Sequence, residues 1–283
     1  LEECRFTSQP EVLARLLKRE SLFISGLAGS GKTTIINRFI ELLDAEYDGA
    51  FNVAVTASTG IAATLIGGTT IHSWGGLGIS TEPFDKKNIE PFMWGRAKNL
   101  TTADVLIIDE ISMMPAHLFT KLDAALKYFR KSKEPFGGIQ MVLIGDFLQL
   151  PPVVGRDGSD VDNRFAIETA AWKESSIEYC FLDKAYRATD DRLKRVLLEI
   201  SAGRVSQTTR ELLQTRRTAT PHPDIVYTTL FTTNQNVDRF NMEELGKNSN
   251  PMIKMSYIPV MGNAKDINDT LKKHGIPEEV HLK

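Results

Sequence analysis

The chain has 283 residues, of which 42% are hydrophobic and 25% charged, with a formal net charge of −2. That length accommodates two domains, and the composition is that of a soluble globular protein. The charge excludes a globally basic protein, so any nucleic-acid contact has to be a local groove.

Cys4 and Cys180 lie far apart with no C-x-x-C spacing, so no zinc site or disulfide framework is implied. No apolar run reaches the length of a membrane span, and the first residues carry no signal-peptide pattern. An intracellular, reduced setting without a membrane partner is expected. The chain opens on Leu1 rather than Met, and an incomplete N-terminus is expected.

The spacing of Val12, Leu13, Leu16 and Leu17 predicts a first helix, with Thr7 or Ser8 placed to cap it and Pro10 near its first turn. Gln9 reads in two ways. By itself it is a solvated helix-start residue. Just upstream of a nucleotide loop, its amide can donate to and accept from an adenine edge.

Leu22 to Ile24 predicts a buried strand, which breaks at Gly26 and gives way to a helix marked by Ile35, Ile36, Phe39, Ile40 and Leu43. Between them stands G-x-x-x-x-G-K-T, with Gly26, Gly31, Lys32 and Thr33 in the required places. The glycines let the loop wrap, so that consecutive N–H groups point inward at a phosphate. Those groups belong to Ala28, Gly29, Ser30, Gly31, Lys32, Thr33 and Thr34. The helix N-terminus adds its positive dipole end. Lys32 supplies a point charge to the β- and γ-phosphates, and the Thr33 hydroxyl can ligate Mg²⁺. The stretch reads as a nucleoside-triphosphate site.

A second strand is predicted over 51–56. It feeds Ala57, Ser58, Thr59 and Gly60, then a glycine- and threonine-rich stretch ending in His72, Ser73 and Trp74. Small and hydroxylated residues at a strand's carboxyl end suit close approach of a polyanion, and Ser58 and Thr59 can donate to phosphates. By themselves His72 reads as a structural histidine and Trp74 as core. Over 75–103, Phe84, Phe92 and Trp94 alternate with Lys86, Lys87, Arg96 and Lys98. That mixture fits either a surface for single strands or a small insertion with its own satellite core.

Regularity returns with an apolar strand, Val105 to Ile108, that ends in Asp109-Glu110. Asp109 can hold the magnesium shell, and Glu110 can orient or deprotonate the attacking water. A helix over 116–129 and a fourth strand over 139–144 follow. Strands alternating with helices predict an α/β fold with a doubly wound, mainly parallel sheet. The polar motifs all fall at strand carboxyl ends, where such sheets bind ligands.

The fourth strand ends in G-D-F-L-Q-L-P-P-V at 145–153. Together with T-A-S-T-G-I-A-A at 56–63, G-G-T-T-I-H-S-W at 67–74, D-E-I-S-M-M at 109–114 and P-F-G-G-I-Q-M-V-L at 135–143, it resembles the petite-integration-frequency (Pif) DNA helicases. These are superfamily-one motors of the 5′-to-3′ branch, and the resemblance runs from about Gln9 to about Asn241.

The resemblance implies a RecA-like P-loop NTPase domain over 1–174 and an incomplete second RecA-like domain over 175–283. ATP and Mg²⁺ are the implied cofactors, with Gln9 at the adenine, Lys32 and Thr33 at phosphate and metal, and Asp109 and Glu110 at metal and water. Gln149 becomes the γ-phosphate sensor, its amide able to bond both a phosphate oxygen and the attacking water. Arg187, in D-K-A-Y-R, becomes an arginine finger reaching the γ-phosphate from the second domain. Ser58, Thr59, His72 and Ser73 become contacts to single-stranded DNA.

A further strand over 227–234, then a helix over 235–245, are predicted. By resemblance Thr232, Thr233 and Asn234 grip the DNA backbone, although Thr and Asn there also suit an ordinary helix cap. The family's later motifs are absent, so the chain is expected to be a fragment. The reading is a monomeric ATP-dependent DNA helicase acting on single-stranded and forked or structured DNA. Two alternatives stand beside it: a nucleotide-switched single-strand-binding ATPase without net unwinding, and an RNA-directed superfamily-one motor.

Overall fold

The computed structural model describes residues 6–78, 80–152, 164–182, 184, 186, 190–220, 222, 227–256 and 279–282. The chain divides into two units, Leu1–Arg210 and Glu211–Lys283.

In the first unit, Ser8 caps α1 (Gln9–Leu17) by accepting from the Glu11 N–H, and Pro10 sits in the first turn, where its missing donor is no loss. Thr7 is buried and its N–H donates to the Phe181 carbonyl, so the cap belongs to Ser8. β1 (Leu22–Gly26) leads through the Gly-rich loop into α2 (Lys32–Tyr47). β2 (Val53–Ala57), α3 (Gly60–Leu65), the two-residue β3 (Thr69–Thr70) and α4 (Ile71–Gly75) follow. Then come α5 (Pro91–Trp94), α6 (Ala97–Thr102), β4 (Val105–Asp109), α7 (Ala116–Phe129) and β5 (Gln140–Ile144). α8 (Ala170–Glu174), β6 (Glu178–Leu182), α9 (Asp191–Ser201) and α10 (Gln207–Arg217) complete the series, the division between units falling within α10.

Six strands form one parallel sheet in the order β3-β2-β4-β5-β1-β6. Its central strands are apolar through their middle positions because both faces are covered, with polar residues only toward their ends (Gln140, Asp109, Ser25). Alternate residues enter different cores. Leu22, Ile24, Val105, Ile107, Val142 and Ile144 pack with Val12, Leu16, Ile35, Ile36, Phe39 and Leu43 of α1 and α2. Phe23, Leu106, Ile108, Met141 and Leu143 pack on the opposite face with Leu118, Phe119, Leu122, Leu126 and Trp172. Each fully buried side chain of this size contributes about 1.5–3 kcal/mol relative to exposure. Two such layers fix the strand ends that carry the motifs.

Arg130, at the end of α7, ties the entry of β4 in place. Its Nε donates to the Gly137 carbonyl at 2.9 Å, and its Nη1 to the carbonyls of Thr101 and Ala103 at 3.0 and 2.9 Å. The last two satisfy acceptors that the end of α6 leaves open.

Two expectations change here. Segment 175–182, assigned to the second domain, lies in the first sheet: β6 pairs with β1 in parallel from Leu22↔Glu178 to Gly26↔Leu182. Length and motif order carry no information about sheet partnership, which is why the boundary at 174 was misplaced. The 75–103 stretch is not a satellite core either. Leu77, Met93, Leu100 and Ala103 join the main core with Trp74, while Phe92 and Trp94 stand about half exposed.

In the second unit, α11 (Asn234–Lys247) matches the predicted helix, but Tyr227 to Phe231 form no strand. β7 (Ile253–Ser256) and β8 (Glu279–Leu282) pair antiparallel, with Ile253 opposite Leu282. The part of a second parallel-sheet domain expected here is represented, among the described residues, by this helix and pair. No helix among the described residues is long and apolar enough to cross a membrane.

Candidate nucleotide site

At the carboxyl edge of the sheet, the phosphate loop wraps from the end of β1 to the start of α2. Gly31, at the N-cap of α2, has φ +86, a left-handed conformation that favours glycine. A Cβ there would also stand 2.2 Å from Nε2 of Gln9, because the Gln9 amide lies over the loop and donates to the Ser30 carbonyl at 3.0 Å. The Tyr186 N–H holds the loop from another side, donating to the Gly29 carbonyl at 2.8 Å. Lys32 turns its ammonium inward, where Nζ donates to the carbonyls of Gly26 and Leu27 at 2.8 and 3.2 Å.

The loop opens on a cavity of about 650 Å³. It is lined by residues 28–34, by Asp109, Glu110, Gly145, Asp146 and Gln149, and by Gln9 and Tyr186. Strand ends and helix starts thus bring Gln9, Ala28, Gly29, Ser30, Gly31, Lys32, Thr33, Thr34, Asp109, Glu110 and Gln149 of the predicted set to one place. A second cavity of about 390 Å³ shares Gln9, Ser30 and Tyr186 with it and adds Thr7, Ser8, Pro10, Leu182 and Lys184.

The carboxylates form a tight group. Asp109 Oδ1 accepts from the Glu110 N–H at 2.9 Å. Glu110 is left-handed (φ 53, ψ 44), a strained state for a residue with a side chain, of order 1–3 kcal/mol. Burial pushes the Asp109 carboxyl above its ordinary range, opposed by the Glu110 N–H and the Lys32 charge. Burial likewise raises Glu110, helped by the negative charges of Asp109 and Asp146 and opposed by Lys32. Gly145 lets β5 press against this turn, since a Cβ there would meet Ile111 Cγ2 and N at 3.0 and 3.1 Å.

Asp146 and Tyr186 were not singled out from the sequence, though both stood inside quoted motifs. Asp146 Oδ2 accepts from Gln149 Nε2 at 3.1 Å, Oδ1 accepts from the Leu148 N–H at 3.0 Å, and its carbonyl accepts from the Gln149 N–H at 2.9 Å. It thereby sets where the Gln149 amide stands. An acidic residue three positions before Gln149 was the available signal.

The predicted nucleic-acid contacts are placed differently. The Ser58 hydroxyl donates to the Glu110 carbonyl at 2.8 Å. Thr59 Oγ1 caps α3 by accepting from the Ala62 N–H at 3.2 Å, and Thr70 caps α4 by accepting from the Ser73 N–H at 3.2 Å. His72 is half-buried and Ser73 exposed on α4. Thr232, Thr233 and Asn234 are exposed in the second unit, where Thr233 is the N-cap residue of α11 without a side-chain cap bond. Arg187 lies outside the described residues.

The donor set suits a hard divalent cation: a hydroxyl on Thr33 and a carboxylate on Asp109 are oxygen ligands. Among the described residues no three His, Cys, Asp or Glu side chains group closely enough to hold a metal. A cation here therefore needs oxygens from phosphate and water as well, which is how Mg²⁺ is commonly bound.

Comparison with known proteins agrees with this geometry. The budding yeast Saccharomyces cerevisiae "ATP-dependent DNA helicase RRM3" is 37% identical over 84% of this chain and 33% of its own length. A crystal structure of Pif1 helicase from Candida albicans superposes with a TM-score of 0.82 at 33% identity, covering 99% of this chain and 64% of that one. A Bacteroides Pif1 helicase in complex with ADP-AlF3 and single-stranded DNA gives 0.72 at 28% identity, with coverages of 99% and 64%. The chain thus spans about a third of the curated relative and under two thirds of these solved chains. The family model for PIF1-like helicases matches residues 9–211, and with the phosphate loop, the Asp109-Glu110 pair and Gln149 around one cavity, the chain belongs to the PIF1-like helicase family.

Proposed function

We propose that this chain is the ATP-hydrolysing core of a DNA helicase that moves 5′-to-3′ along single-stranded DNA. The convergence of Gln9, the loop, Lys32, Asp109, Glu110 and Gln149 on one cavity carries the reading. Gln9 and the Tyr186 ring border both cavities, a position suited to an adenine edge and face. The loop N–H groups and Lys32 take the phosphates. Thr33 and Asp109 would hold Mg²⁺, which would neutralise charge on the phosphate oxygens.

Glu110 acts on water. Its raised proton affinity makes it a better base than an exposed carboxylate, and its left-handed turn aims it from the strand end into the cavity. Gln149, now tethered to Asp146, is the group that reads the γ-phosphate. Releasing that tether on nucleotide binding would pass the signal to the loop bearing Leu148 and Leu150, both exposed. Arg187, the arginine finger that the resemblance implies, would complete the charge stabilisation at the γ-phosphate. With the Ser58 and Thr59 oxygens already bonded within the first unit, His72 and Ser73 in the first unit, and Thr232, Thr233 and Asn234 in the second, supply the strand contacts. Translocation follows if their affinity differs between nucleotide states, since a ligand shifts an equilibrium only by differential binding.

The test is steady-state ATP hydrolysis with and without a short single-stranded oligonucleotide, followed by strand displacement on a forked duplex. Strong stimulation by single strands with little from blunt duplex is expected. Hydrolysis indifferent to saturating single strands would sink the motor reading, and stimulation without displacement would favour the switched-binding alternative. Equal stimulation by DNA and RNA strands would favour the RNA-directed one.

A further inference from the structure

Ser58 was assigned to the nucleic acid because a hydroxyl at a strand end suits a phosphate. The structure spends that hydroxyl elsewhere. β2 ends at Ala57, which is paired with Asp109 of β4. One residue further on, the Ser58 N–H donates to the Asp109 carbonyl at 3.1 Å and extends the ladder. The Ser58 Oγ then donates to the Glu110 carbonyl at 2.8 Å.

Glu110 needs such support. Its backbone is left-handed, so rotation of the peptide on either side re-aims the carboxylate. The Asp109 carboxylate holds its N–H at 2.9 Å. Its carbonyl accepts from the Met113 N–H at 3.0 Å, a bond local to the turn. The Ser58 bond instead reaches the turn from a separate strand, 52 residues away in sequence. Immediately after Ser58, Thr59 caps α3 in an extended conformation. One backbone step therefore separates the start of α3 from the hydroxyl that fixes Glu110.

We propose that Ser58 is a positioning residue for Glu110: its hydroxyl, brought in from the end of β2, fixes the turn that aims the carboxylate acting on water. The inference rests on the functional reading above, which assigns that carboxylate to hydrolysis. Ser58 itself touches neither water nor phosphate in this account. It holds the Glu110 carbonyl, and loss of that bond frees the left-handed turn to re-aim the carboxylate.

The test compares two near-isosteric variants that differ in one hydroxyl, Ser58→Thr and Ser58→Val. ATP turnover is measured against ATP concentration with and without a short single-stranded oligonucleotide, and nucleotide-free affinity for that oligonucleotide is measured alongside. In Ser58→Val, kcat with the strand present falls on the order of 10–10²-fold, as expected for a misplaced catalytic group. KM for ATP and the strand affinity stay at wild-type values, and Ser58→Thr restores turnover. Should the valine variant fail to fold, Ser58→Cys keeps the shape with a much weaker donor and is read in the same way.

A Ser58→Val protein that loses strand affinity but turns over normally at saturating strand overturns the inference, since Ser58 would then be a phosphate contact. Normal kcat and normal affinity overturn it equally. Glu110→Gln separates the two levels of argument. If that variant retains turnover, the hydrolytic reading itself fails; if it is inactive while Ser58→Val is normal, only the role of Ser58 fails.

Discussion

Around the phosphate loop, side chains from separate strand ends and a helix start line one cavity, whereas the hydroxyls at the ends of β2 and β3 bond back onto backbone. Lys32, Asp109, Glu110 and Gln149 belong to the first group. Ser58, Thr59 and Thr70 belong to the second, each bonded to a peptide group within the first unit. The contrast shows what residue type alone can establish. A G-x-x-x-x-G-K-T loop between strand and helix leaves its N–H groups only one useful direction. A serine or threonine at a strand end can serve a ligand or its own chain, and a helix start beside it claims the oxygen first.

The comparison is broken most severely by removing charge from the nucleotide side. Arg187→Ala is expected to slow hydrolysis by about 10³–10⁵-fold while weakening ATP binding far less, the behaviour of a group used mainly on the transferring phosphoryl. Equal losses in turnover and nucleotide affinity, by single-turnover kinetics and direct binding, would remove it from that role. Lys32→Ala comes next, with a loss in kcat on the order of 10²–10³-fold, the scale seen when one preorganised charge donor is deleted. Nucleotide-free single-strand binding should be untouched, because Lys32 donates to the Gly26 and Leu27 carbonyls of the phosphate loop and acts on the carboxylates of the same cavity. Wild-type turnover by that variant would dissolve the nucleotide half of the comparison.

Much of this was legible before any coordinates. The apolar runs at 22–24, 105–108 and 139–144 announced strands covered on both faces, and the structure puts them side by side in the sheet. The loop, the Asp109-Glu110 pair and Gln149 were legible because their spacing is tied to strand ends. Sheet partnership was not: β6 joins β1 through a pairing that no local pattern encodes, and this moved 175–182 out of the second domain. Nor was the bond from Ser58 to Glu110, which depends on the register of Ala57 with Asp109 across the sheet. At 227–231 the β-branched and aromatic run read as a strand, yet no neighbouring strand is present among the described residues to pair it. Propensity without a partner does not make a strand.

Thr59 sharpens the comparison at smaller cost. If its oxygen serves α3, Thr59→Ala removes an N-cap and lowers stability by about 0.5–2 kcal/mol, while Thr59→Ser retains it. Denaturant unfolding of the two variants measures this directly. Single-strand affinity then stays near wild type in both. A drop in affinity for Thr59→Ala, with a smaller slope against salt and no change in stability, would move Thr59 to the nucleic-acid side.

The smallest expected effect concerns the carboxylates themselves. Burial raises the proton affinity of Asp109 and Glu110 in the folded chain above that of the unfolded one. For groups raised in this way, stability is present below the ordinary carboxylate range and is lost as pH rises through the folded values. In divalent-free buffer, melting should therefore show a decline from mildly acidic toward neutral pH that Asp109→Asn flattens. That variant removes one raised group and, by deleting its charge, relieves the other. Adding a divalent cation to the wild-type protein should flatten the same limb, because a cation favours the ionised carboxylates that burial disfavours. Parallel pH curves for wild type and Asp109→Asn would mean that Lys32 already neutralises the pair, and the nucleotide side would then be as internally committed as the hydroxyls after β2.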